Sequence, residues 1–168
     1  MKKSNQTIPL LIILFAGFVI SGCQKSFDPN IGFRTIVLLV NTADIHPGAD
    51  VEKYASFPGQ APGVSLVDFT TNVGLGDTIL WIGVSSSNPF EDEVIIEQIN
   101  YQGGDKLLGK NTINGKNGRV IGTIKQEGKE GEGKKDEEEK YVIHFKVIKQ
   151  GGSPSAMYQI DPKMRLIK

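Results

Sequence analysis

The chain is poor in the residues that most chemistry needs. Cys23 is its only cysteine, and His46 and His144 are its only histidines. A single thiol excludes an intrachain disulfide, although an exported protein could have used one, and no C-x-x-C motif can exist. Ser-His-Asp catalysis needs an imidazole oriented by a carboxylate beside a serine. No G-x-S-x-G turn occurs, the run Ser85, Ser86, Ser87 reads as a polar loop, and His46 sits in the turn sequence Asp44-Ile45-His46-Pro47-Gly48. H-E-x-x-H, P-loop and EF-hand patterns are missing too, so no cofactor or metal is implied. Neither charge sign is in excess, with 19 basic and 19 acidic residues, which gives no electrostatic case for nucleic acid.

What is present begins at the N-terminus. Lys2 and Lys3 precede an almost wholly apolar run from Ile8 to Ile20. That run is shorter than the ~20 residues a spanning helix requires. A positive flank, a short apolar centre and small residues at its end are the signature of a secretory signal. Ile20, Ser21, Gly22 and Cys23 resemble a bacterial lipobox: an apolar residue, two small ones and a cysteine. The resemblance implies that Cys23 becomes the first residue and carries a diacylglyceryl thioether, usually with an added N-acyl chain. Two or more chains anchor firmly where one holds only marginally. Gln24 follows the cysteine in place of an aspartate, which in that family implies the outer membrane, with the periplasmic or exposed face undecided. The expected organisation is a signal peptide at 1–22, a lipidated tether at 23–30 and one domain at 31–168. Removing residues 1–22 takes two lysines and no acid, so the mature chain has 17 basic and 19 acidic residues, a net of −2.

The mature chain reads as all-β. Segments 31–41, 64–70, 76–84, 93–101, 118–126, 140–149, 155–161 and 163–168 are strand-like and separated by Gly, Asn, Asp and Pro clusters, which argues for a sandwich or barrel. None of them shows a helical period over ten or more residues. Segment 31–41 is nearly continuously apolar, as in a strand buried on both faces. Residues 42–63, with three prolines, are a long connection. In 140–149, Tyr141, Ile143, Phe145 and Val147 share the core face and His144 points outward beside Lys146. The run 127–139 is so charged that a disordered loop is expected. Its four consecutive acids, Asp136 to Glu139, do not match the spaced ligands of a calcium loop. The expectation is a β-sandwich of about seven to eight strands, Ig-like or cupredoxin-like.

The stretch from Leu75 to Val84, with Gly76-Asp77-Thr78 ahead of Trp81, resembles the Trp-bearing strand of cupredoxin-like sandwiches. That family's copper site needs two His and a Cys thiolate. Here Gly83, Val84 and serines follow the Trp strand, and no His or Cys accompanies Met157 and Met164; only the fold carries over. The order of 36–42, 76–88 and 158–164 is similar to bacterial inclusion-body (PixA/AidA-type) proteins. The chain also resembles small uncharacterised β-sandwich lipoproteins of Bacteroidota-type bacteria. Trp81, at the centre of its strand, is read as a core anchor.

The resulting expectation is a non-enzymatic envelope lipoprotein, a binding or assembly accessory held to the membrane by its lipid. Its contact surfaces would be loops 42–63, 84–93 and 102–117, with no single ligand-binding residue assigned. Partners would be an envelope protein or a second copy. The rivals are a small envelope hydrolase working through Glu91, Asp92 and Glu93, in the manner of paired carboxylates, and a self-associating structural protein.

Overall fold

The computed structural model describes residues 31–125 and 137–167. The signal segment, Cys23, the tether and residues 127–136 of the charged run lie outside the described residues. Ten strands are present: β1 Phe33–Val40, β2 Ala55–Ser56, β3 Thr70–Val73, β4 Thr78–Ser85, β5 Glu93–Gly104, β6 Thr112–Asn114, β7 Arg119–Thr123, β8 Glu137–Ile148, β9 Tyr158–Ile160 and β10 Lys163–Leu166. One 3-10 turn, Val51–Lys53, is the only helical element among the described residues.

The strands form two mixed sheets, β2-β1-β4-β7 and β3-β10-β8-β5-β6, with β9 beside β8 where β10 no longer covers it. β1/β4 and β3/β10 are parallel, and the other pairs are antiparallel. Inward residues of both sheets share one core that includes Leu38, Ile79, Trp81, Ile99, Tyr141 and Phe145. The inward row Tyr141, Ile143, Phe145 and Val147 is buried as the alternation predicts. Trp81 is also buried, packing edge-on to Tyr141 with its indole N–H 3.4 Å from the phenol oxygen.

Four expectations need correction. Ten strands replace seven to eight, chiefly because β2 and β6 are too short to read from periodicity. Segment 64–70 is not a strand until its last residue. The Ser65 carbonyl accepts the N–H groups of Asp68 and Phe69, and the Ser65 hydroxyl bonds the Asp68 carboxylate, a local closure that competes with a ladder. β1 lies inside its sheet, but only its even positions Ile36, Leu38 and Val40 are buried; Phe33 and Thr35 on the other face are exposed. Finally, Glu137, Glu138 and Glu139, assigned to the charged loop, are the first three residues of β8.

Asp77 accounts for the start of β4. It is buried, and its two carboxylate oxygens accept the N–H of Gly32 at 2.7 Å, the N–H of Gly74 at 2.7 Å and Nε of Arg34 at 2.5 Å. Burial opposes charge on this carboxyl, but Arg34 and the two amides outweigh it and hold the group below the ordinary aspartate range. The preceding Gly76 has φ +83°, a left-handed conformation that suits glycine. One side chain thus joins the chain entering β1 to the turn entering β4.

Candidate functional site

Two of the three loop regions singled out in the sequence meet at the end where β1 and β4 finish. Thr42, just past β1, donates its hydroxyl to Oδ2 of Asp92 at 2.6 Å. Its oxygen also lies 2.6 Å from Ser85 Oγ and 3.0 Å from Ser87 Oγ. A threonine has one proton to give and a carboxylate can only accept, so both serines donate to Thr42 and the chain of donation ends on Asp92. The serine oxygens in turn accept backbone N–H groups, Asn88 on Ser85 at 2.8 Å and Ala43 on Ser87 at 3.0 Å. The other oxygen of Asp92 accepts the N–H of Gln150 at 2.9 Å. These bonds from Thr42 and Gln150 hold the Asp92 carboxyl below its ordinary range.

The network pins the loop 86–92. The Asn88 carbonyl accepts the N–H groups of Glu91 and Asp92, and the Asn88 amide donates to the Glu91 carboxylate. At the turn of this pinned loop stands Phe90, 99% exposed. Beside it is a cleft of about 620 Å³ lined in part by Ser85, Asp92, Glu93, Asn117 and Arg119. It opens because β7 pairs with β4 only as far as Ile82. At Gly83 the two sheets touch: a Cβ there would lie 2.4 Å from Val94 Cγ1. The far wall is a tight Asn-Gly turn, with Asn117 and Gly118 both at positive φ.

Each hydroxyl near Asp92 is committed to a bond, and neither histidine joins them. His46 packs edge-on to Tyr54 at 6.1 Å. His144 lies on the outer face of β8, its Nε2 3.1 Å from the Asn100 amide, and partial burial lowers its pKa. The three consecutive carboxylates diverge: Glu91 and Glu93 face solvent while Asp92 turns inward. The general acid that a carboxylate hydrolase requires is therefore not supplied by Asp92, whose carboxyl is stabilised as the anion. Among the described residues, no group of three His, Cys, Asp or Glu stands close enough to hold a metal.

The third loop, 102–117, goes elsewhere. The N–H of Leu108 binds Oε2 of Glu139 at 2.9 Å, and the Leu107 carbonyl accepts from Lys125. Glu139 is buried, with its other oxygen unpartnered, and burial raises its carboxyl to about 7 against the pull of the Leu108 and Leu107 amides. Sequence reasoning missed Thr42, Ser85 and Phe90 as a unit. The one available signal was an aromatic inside an otherwise polar, proline-containing loop, Ser85 to Asp92.

No family model matches the chain, and no curated protein matches it. Among solved structures it is similar to an inclusion body protein, PixA, from Burkholderia cenocepacia J2315. The identity is 12%, the match covers 84% of this chain and 100% of that one, and the TM-score is 0.51. At this identity the likeness is one of fold, and it agrees with the resemblance to inclusion-body proteins drawn from the order of sequence segments.

Proposed function

We propose that this is a lipid-anchored protein of the outer membrane, acylated at Cys23, that binds an envelope protein through its distal loops without performing chemistry. The observation that carries the binding half is Phe90. A fully exposed aromatic on a loop held by a buried hydroxyl–carboxylate network is a preorganised contact, and aromatics at such positions dominate interface energies. The loop also lies at the far end of β1 from the tether, where a partner can reach it.

The sandwich is best described as cupredoxin-like rather than Ig-like. The parallel pairs β1/β4 and β3/β10 depart from the antiparallel sheets of the Ig arrangement, and Trp81 lies in the strand that carries the cupredoxin resemblance. The name of the PixA neighbour and the half-exposed outer face of β1 favour one second reading, self-association.

A photo-crosslinking side chain in place of Phe90, in the full-length chain in cells, tests these readings together. Capture of one reproducible envelope protein supports the binding reading. Capture of this same chain supports self-association, and no adduct at Phe90 while the protein is abundant removes the distal-loop assignment. Anchoring is tested separately: Cys23→Ala should abolish fatty-acid labelling and release the protein from membranes.

A further inference from the structure

The opposite end of the domain carries a different surface. Ile31, Leu75 and Ile167 are each about half exposed and Phe33 is 65% exposed. They form one collar around the Asp77 clamp. The amides of Gly32 and Gly74 meet on the same carboxylate, the Ile31 side chain lies over Gly76, and the N–H of Ile167 bonds the Val73 carbonyl at 2.9 Å. In the segments that build this end, 31–34, 73–78, 104–110, 123–125, 137–139 and 165–167, Asp77 is buried and paired with Arg34, Glu138 is paired with Arg165, Asp105 is half-buried, and Lys110 and Lys125 are exposed. Glu137, opposite Leu166, is turned into the core. The charged run that leaves at Lys125 is nearly balanced, with four acids and three lysines in 127–136.

We propose that this collar of Ile31, Phe33, Leu75 and Ile167 beds into the lipid surface, so that the domain sits on the bilayer with its distal loops directed away. The proposal rests on acylation of Cys23. The short span of chain between Cys23 and Ile31 limits how the domain can stand on the membrane. Eight residue steps separate Cys23 from Ile31, at most about 28 Å when fully extended, which is close to the ~26 Å length of the eight-residue strand β1. Ile31, the first described residue after that segment, is itself part of the collar, so the apolar end meets the bilayer first. Among the described residues at this end no acid is fully exposed, and an exposed apolar cluster in such surroundings gains from the headgroup–acyl boundary.

The test uses the full, acylated protein reconstituted into phosphatidylethanolamine–phosphatidylglycerol vesicles. With Cys23 acylated, Leu75→Cys, Ile167→Cys or Phe90→Cys each adds the only free thiol for a nitroxide label. The expected result is high oxygen and low nickel-chelate accessibility at 75 and 167, corresponding to roughly 5–10 Å of insertion, with the reverse at 90. Water-like accessibility at 75 and 167, in protein that still floats with the vesicles, overturns the bedding and leaves the anchor intact. Label–label broadening at 75 that vanishes on dilution with unlabelled protein also overturns it, since a second copy then covers the collar. Protein that does not float and carries no acyl chain overturns the anchor, and the bedding with it.

Discussion

The two ends of the domain are built around the same device and present opposite surfaces. At the end where β1 and β4 begin, Asp77 gathers two amides and a guanidinium; where they finish, Asp92 gathers one amide and one hydroxyl. Both carboxyls are held down in pKa by their donors. Asp77 fixes backbone that starts two strands, with a cation to match its charge, and the surface around it is apolar. Asp92 fixes a loop through neutral donors, and the surface around it is polar with one protruding ring. A buried aspartate can therefore fasten the frame of the sandwich or shape a contact loop, depending on whether its donors belong to strands or to loops.

Removing each device should separate these roles. Asp77→Ala leaves two half-buried amides and the Arg34 guanidinium without their acceptor, so global stability should fall by about 2–3 kcal/mol, seen as an earlier urea midpoint. Next in size is Glu139→Gln, which tests a carboxyl shifted the other way. Its folded pKa, about 7, lies above the ordinary glutamate value of 4.5. The wild type therefore loses stability as pH rises from 4.5 through 7. The substitution should stabilise by about 2–3 kcal/mol at pH 8, with the gain fading below pH 5, measured by urea unfolding at both pH values. Thr42→Val should act locally: amide exchange at Asn88, Asp92 and Gln150 accelerates while Gly32 and Gly74 keep their protection. The smallest effect on stability belongs to Phe90→Ala, within about 0.5 kcal/mol. The proposed contact further predicts that lysine-directed crosslinking in cells recovers an envelope-protein complex with the wild type and not with this variant, and an equal yield from both would remove the contact role.

Alternation made most of the frame legible. Phe145 and its neighbours stand where a period of two places them, and the Gly-Asp-Thr start before Trp81 pointed to the strand that anchors the core. What failed did so for tertiary reasons. Glu139 is an acid in an acid run, and nothing local says that the amides of Leu107 and Leu108 will receive it. Ser65 and Asp68 close on each other and delay β3. The outer face of β1 looked buried because Phe33, Val37 and Leu39 are apolar; in the fold that face is left half open. The distal network was illegible for the same reason, since Thr42 and Asp92 are brought together only when two loops from different sheets meet.

The parallel pairing of β3 with β10 has a consequence for biogenesis. β3, at residues 70–73, is joined to its sheet only through β10, at residues 163–166. Closing so long a loop is entropically slow, and it must wait until residues 163–166 have been synthesised. The second sheet therefore stays incomplete while the nascent chain is shorter than these residues. Truncation before Lys163 would leave the edge of β8 at Glu137–Lys140 uncovered and β3 detached.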